Sequence, residues 1–326
     1  NEKLITAKEA ANLVKDGDWI DIGWGALTAK AFDQALAKRV DELHDVKVRG
    51  GVVPYELDIS KADSTGEHFV YHSFHSSGTE RGLINNNKYG AYFIPVKYSE
   101  IGRYFNENLD KASISVIQVS PMDKNGNFNF GLSASHAWET FKNADKVILE
   151  VNENVPVALG GYLNYINIKD VDYIYEANEK MLTLGKANYG EVELKVAEYV
   201  VDLLKDGDCL QIGIGALPNA IGSEIAKSDL KDLGIHTEMY VDAFVEMAKA
   251  GKITGMKKNR DIGRQTYAFA AGSQELYDYV DHNEDLMAVP VNYANDVDII
   301  ASLDNFVSIN TAMQVDLWGQ ISSETV

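Results

Sequence analysis

Apolar residues at helical spacing open each half of the chain: Ala10, Leu13 and Val14 near the start, and Val196, Val200 and Leu203 further on. Each group is followed by Asp-Gly, a turn signal, and then by a short apolar run, Trp19–Ile22 or Cys209–Ile212. A Gly-x-Gly loop comes next, and a second helical pattern after it. The two stretches are copies: KDGDWIDIGWGAL (15–27) and KDGDCLQIGIGAL (205–217) agree at nine of thirteen positions, at an offset of 190. Helix, turn, strand, glycine loop, helix is an α/β unit. Two copies predict two related open α/β domains, which we place at 1–185 and 186–326.

Continuous apolar runs mark further buried strands at Val46–Val53, Ser113–Val119 and Lys146–Val151. The second half repeats this at Thr266–Ala271, Leu286–Val291 and Phe306–Asn310. The polar stretch Glu176–Glu191, with two glycines, reads as the connection between domains.

The 326 residues are 45% hydrophobic and 24% charged, which fits a folded globular chain. The formal net charge of −19 argues against a nucleic-acid surface, which needs clustered Lys and Arg. It leaves room for a small anion held by backbone N–H groups and a few local cations. Cys209 is the only cysteine, so no intrachain disulfide forms, and a reducing, cytoplasmic setting is expected. No apolar run nears the ~18 residues of a membrane span. Asn1-Glu2-Lys3-Leu4 lacks the order of a signal peptide, and the missing initiator Met leads us to expect a trimmed start.

Four segments could carry chemistry. Gly213-Ile214-Gly215-Ala216-Leu217 follows a strand and opens a helix, where a ligand can approach the backbone and an anion is favoured. It is not the dinucleotide fingerprint, since the third glycine would fall on Pro218. A tight turn with no ligand is the competing reading, and Trp24 favours that reading for the first copy, Gly23-Trp24-Gly25. Glu238 lies in the strand-like run GIHTEMYVD (234–242), among Ile, Met and Tyr. A partly desolvated carboxylate there is a better nucleophile than a hydrated one. Residue type alone still favours an exposed or ion-paired Glu. Gln118 ends a buried strand, where α/β proteins place ligands, and could donate to an oxyanion or serve a turn. His68, His72 and His75 share a helical spacing, but the Phe, Val and Tyr between them favour a strand that would not align them on a metal.

The whole chain resembles the acetyl-CoA hydrolase/transferase family of class I CoA-transferases. The likeness rests on DGDCLQIGIGALPNAIG (206–222), DLGIHTEMYVDAFV (232–245), RQTYAFAAG (264–272), LDNFVSINTAMQVDLWGQ (303–320), LAKRVDEL (36–43), VSPMDKNGNFNFGLSASH (119–136) and VILEVNENVP (147–156). The resemblance implies the open α/β fold of CoA-transferases, NagB/RpiA-like. It implies that Glu238 is the nucleophile that exchanges CoA between a short-chain acyl-CoA, butyryl-CoA foremost, and acetate. It implies that Gly213 to Leu217 bind CoA, and that Asn310 and Met313 line the CoA or acyl pocket. Coenzyme A would be a substrate, with no metal or other cofactor, and the chain would form homo-oligomers without membrane or nucleic-acid partners. The family continues beyond its Asp-x-x-Gly-Gln segment, here Asp316 to Gln320, into a glycine-rich segment, so a second domain truncated at its C-terminus is expected. A hydrolase, a 4-hydroxybutyrate CoA-transferase, a non-catalytic sensor on the same fold and a nicotinamide dehydrogenase are the alternatives.

Overall fold

Both copies of the repeat become an interior strand of a parallel sheet. The structure is a computed structural model that describes residues 2–53, 55–85, 90–185 and 187–323. In the first half the strands are β1 (Trp19–Trp24), β2 (Val46–Gly51), β3 (Phe69–Ser73), β4 (Ala91–Phe93), β5 (Ala112–Val119), β6 (Asn127–Asn129), β7 (Ala144–Asn152), β8 (Tyr165–Asn167) and β9 (Tyr173–Ala177). In the second they are β10 (Cys209–Ile212), β11 (Gly234–Tyr240), β12 (Gln265–Ala270), β13 (Leu286–Ala288), β14 (Phe306–Ile309), β15 (Gln314–Val315) and β16 (Ile321–Ser322). The first sheet runs β4-β3-β2-β1-β5-β7-β9 and the second β13-β12-β11-β10-β14. β6 with β8 and β15 with β16 form small antiparallel pairs.

Strand order and register relate the halves residue by residue. Trp19 pairs with Lys47, and Cys209, its repeat mate, pairs with Gly234. Counting along β2 and β11 from those pairs, Arg49 corresponds to His236 and Gly51 to Glu238. Counting along β1 and β10, Asp21 corresponds to Gln211 and Trp24 to Ile214. In the first half these positions are closed. Asp21 and Arg49 form a buried ion pair with oxygens at 2.7 and 3.1 Å, and Arg49 also donates to the Asp110 carbonyl. The Trp24 ring lies directly over Gly51, where even a Cβ would come within 2.3 Å of it. In the second half Gln211, Ile214, His236 and Glu238 line a cleft, and Ile214 is 52% exposed.

The halves join through a core that includes Leu132 and Phe128 from the first and Tyr267 and Leu276 from the second. Bridges from Ser133 to Phe269, Ser135 to Pro290 and Gly160 to Ala288 cross the junction. Gly160 allows this close approach: its φ is +155°, and a Cβ would sit 2.3 Å from the Ala288 nitrogen.

Several expectations shift. The strand at Val46–Val53 stops at Gly51, because Val52 turns to φ +54°. The run Leu286–Val291 is strand only to Ala288; Pro290 then caps a helix, Val291–Ala294. The first helix, Ala7–Ala11, ends before Leu13 and Val14, although Val14 is buried. The helix Glu191–Val201 buries only Ala197, and Val196 and Leu203, two of the apolar residues at helical spacing, are exposed. The connection expected over Glu176–Glu191 begins inside β9 and ends at that helix. Between them it is anchored: Met181 is buried, and Leu184 donates to the Gly272 carbonyl. Asn1, Lys186 and 324–326, which fall within or bound the expected domains, lie outside the described residues. Of the three histidines, His72 lies in β3 against Trp19 and Tyr92, and the His68 ring contacts the Leu43 carbonyl. Among the described residues no group of His, Cys, Asp and Glu is arranged to hold a metal, and no helix is long and apolar enough to cross a membrane.

Candidate functional site

In a parallel sheet a ligand site forms at the carboxyl ends of the strands, where the order of connections reverses. In the second sheet that point lies between β10 and β14, since β11, β12 and β13 build outward on the other side of β10. A cleft of about 680 Å³ opens there. Gln211, Gly213 and Ile214 line it from the end of β10, His236 and Glu238 from β11, and Ser308 and Asn310 from the end of β14. Ala294 and Asn295 come from the segment after β13. The first half adds Lys97, Tyr98 and Ser99, so the site belongs to both halves.

Glu238 and His236 alternate along β11 and share a face of the sheet. Burial raises the Glu238 pKa, because a desolvated carboxylate resists ionisation, and a hydrogen bond from Asn295 Nδ2 to Oε2 opposes that rise. Burial also lowers the His236 pKa, which favours the neutral ring. Its Nε2 meets the Ala294 carbonyl at 2.8 Å, so Nε2 carries the proton and the buried Nδ1 is a bare acceptor without a partner. The His236 and Glu238 side chains thereby tie β11 to the segment after β13. Lys97 is the only Lys or Arg among the described lining residues.

The glycine loop meets the cleft at Gly213 and Ile214. Gly215, at φ +124°, turns the chain into the helix Ala216–Lys227, whose N-terminus no side chain caps. Ala216 and Leu217 are its first residues, so the partial positive charge of the helix end lies just beyond the loop in sequence. Pro218 falls in the first turn, where a missing N–H costs nothing. Asn310 is held by Gln211 and Ser308: its Nδ2 donates to Gln211 Oε1 at 3.1 Å and to Ser308 Oγ at 2.9 Å.

Five expected site residues do not line this cleft: Gly215, Ala216 and Leu217, where the chain turns into the helix, and Gln118 and Met313. Gln118 ends β5, the ligand-bearing end of the other sheet. Its carboxamide is committed there, donating to the Thr28 carbonyl and accepting from Asn152 Nδ2, both at 2.7 Å. Met313 is 58% exposed beyond β14, next to the β15–β16 pair. Sequence reasoning missed Asn295, Lys97 and Tyr98. The Asn295-Asp296 pair that closes an apolar run after β13 was a usable signal for the first. Nothing local marks the other two, which reach Glu238 only through the docking of the halves.

These features define a class: a two-sheet parallel α/β protein with a partly buried strand-end carboxylate in a cleft shared with a glycine loop that leads into a helix. Family models narrow it. The acetyl-CoA hydrolase/transferase N-terminal domain matches residues 1–184 and the C-terminal domain of the same family matches 272–326. The chain belongs to the acetyl-CoA hydrolase/transferase family. It is 51% identical to the butyryl-CoA:acetate CoA-transferase of Anaerostipes caccae, over 99% of this chain and 73% of that protein. It is 47% identical to the probable butyrate:acetyl-CoA coenzyme A-transferase of Syntrophomonas wolfei, over 99% of this chain and 72% of that one. Among solved structures, RipA from Yersinia pestis superposes with a TM-score of 0.92 at 30% identity, covering 99% of this chain and 76% of RipA.

Proposed function

We propose that this chain is a CoA-transferase that moves CoA from a short-chain acyl-CoA, butyryl-CoA foremost, to acetate, with Glu238 as the covalent nucleophile. The observation that carries the reading is the Glu238 carboxylate: partly buried, held through one oxygen by Asn295, and open to the cleft beside the glycine loop. The free oxygen, Oε1, attacks the thioester carbonyl. The tetrahedral adduct collapses with loss of CoA thiolate and leaves an acyl-glutamyl anhydride. The thiolate then attacks the glutamyl carbonyl, which releases the carboxylate product and leaves CoA on Glu238 as a thioester. Acetate attacks that thioester, and the same steps run backward to acetyl-CoA and free Glu238. Each intermediate conserves the energy of the thioester, so CoA is a substrate and the scheme draws on no metal or redox group.

The protein's part is binding, orientation and charge. Backbone N–H groups at Gly213 to Leu217 and the helix end favour the anionic CoA, and Lys97 adds a positive charge at the opening. Asn310, fixed by Gln211 and Ser308, presents an amide beside the loop. The neutral His236 leaves the Glu238 anion free of a competing ion pair. We place the reaction in the cytoplasm, in keeping with the single buried thiol of Cys209.

The test is CoA turnover on butyryl-CoA with and without acetate. Acetyl-CoA should form only when acetate is present, with parallel double-reciprocal lines. Free CoA released at the same rate without acetate would make the chain a hydrolase instead.

A further inference from the structure

The acyl group of the intermediate begins at the Glu238 carboxyl, so whatever side chain ends the cleft near that carboxyl limits how far the acyl chain extends. Tyr98 lines the cleft together with Glu238, and Glu238 is the charged group whose field acts on its hydroxyl. Its ring is held on three sides. It stacks on Trp24 at 4.9 Å and 13° between planes, and Phe269 meets it edge-on at 6.0 Å. Its hydroxyl bonds Ser135 Oγ at 2.5 Å, and Ser135 in turn bonds His136 Nδ1 at 2.8 Å. A ring so fixed is a wall and not a flexible lid.

Apolar surroundings extend beyond the cleft: Trp24 and Phe269, which pack against the Tyr98 ring, also line a small pocket of about 30 Å³ with Gly25, Val52 and Leu132. Met239 lines the cleft as well. An alkyl tail that runs from Glu238 toward Tyr98 therefore meets a fixed aromatic ring in apolar surroundings.

We propose that Tyr98 is the specificity-determining residue for acyl-chain length and confines the enzyme to short, straight acyl groups of about the length of butyryl. The inference rests on the reading of Glu238 as acyl acceptor. Removing the phenol joins its volume to the cleft and admits a longer tail. A hydrophobic pocket discriminates one methylene by about 10-fold or more, so the two extra methylenes of hexanoyl-CoA report the change clearly.

The experiment compares kcat/KM for butyryl-, hexanoyl- and octanoyl-CoA with acetate in wild type, Tyr98→Phe, Tyr98→Leu and Tyr98→Ala. Wild type should prefer butyryl- over hexanoyl-CoA by about 10-fold or more. Tyr98→Phe keeps the wall and loses only the Ser135 bond, so its hexanoyl-to-butyryl ratio should equal that of wild type. Tyr98→Ala should raise that ratio by at least about 10-fold, and Tyr98→Leu should raise it in part. Tyr98→Leu, which keeps apolar contact with Trp24, decides the matter if the Ala variant fails to fold. Unchanged ratios in an active Leu or Ala variant overturn the inference alone. Wild type without CoA transfer from any of the three thioesters overturns the underlying reading as well.

Discussion

Gly51→Ala is a one-carbon change that tests why the two halves of this duplicated chain differ. The backbone of Gly51 is ordinary β-strand, so an alanine there is conformationally allowed and only space is in question. An added Cβ would lie 2.3 Å from Trp24 Cζ3, 2.8 Å from Cε3 and 3.0 Å from Cη2. Carbon atoms rest about 3.5–4.0 Å apart, so the indole would have to retreat by more than about 1 Å. It has little room: Trp24 is 7% exposed, stacked on Tyr98, and faced by the His136 ring edge-on at 5.1 Å. Overpacking of this kind costs about 1–3 kcal/mol. The cost should be specific to the indole. In a Trp24→Phe background, where the outer atoms Cζ3 and Cη2 are gone, Gly51→Ala should cost at least about 1 kcal/mol less. Urea denaturation of the four proteins, followed by far-UV circular dichroism, completes the cycle. Gly51→Ala within about 0.5 kcal/mol of wild type, or the same loss in both backgrounds, would refute the account of a first-half position plugged by Trp24.

Two further outcomes follow from buried carboxylates. In Asn295→Ala the hydrogen bond that lowers the Glu238 pKa is lost while its burial remains, so the acidic limb of the kcat/KM profile should move to higher pH. An unmoved limb would mean that Asn295 does not hold the reacting carboxylate. Glu150 is raised to about 7, chiefly by burial, against opposing bonds from Tyr175, Phe32 and Ala31. The folded state thus holds a proton that the unfolded chain releases near its ordinary pKa of 4.5. Stability should fall as pH rises from there toward 7 and level off above, by roughly 3 kcal/mol at 1.36 kcal/mol per unit. Glu150→Gln should flatten much of that slope and exceed wild type in urea resistance at pH 8. Asp33, raised to about 6, keeps a smaller slope of the same sign. Equal slopes in the two proteins would contradict the assignment.

The repeat made the architecture legible, because nine matching residues already contain the strand, the glycine turn and the start of the helix. Glu238 was legible as a carboxylate in an apolar strand, and the nucleophilic role we propose for it came from the resemblance. What stayed hidden was relational. Ile214 and Trp24 share a place in the repeat, yet only three-dimensional register reveals that Trp24 seals Gly51 while Ile214 leaves Glu238 open. Gln118 shows the same limit from the other side: it stands near the end of a buried strand, as a ligand residue can, but its carboxamide bonds Thr28 and Asn152 in the first sheet. The apolar spacing of Val196, Val200 and Leu203 predicted the helix, yet Val196 and Leu203 are exposed, because periodicity reports an amphipathic helix and not what covers it. Tyr98 and Lys97 lie some 140 residues before Glu238, and no local pattern could place them beside it.

The most direct measurement is mass spectrometry of the protein after incubation with butyryl-CoA and no acceptor, with and without borohydride. The account predicts CoA on the peptide containing Glu238, reduction of that side chain to an alcohol by borohydride with loss of activity, and neither event in Glu238→Ala. Turnover of butyryl-CoA with Glu238 unmodified throughout would contradict it.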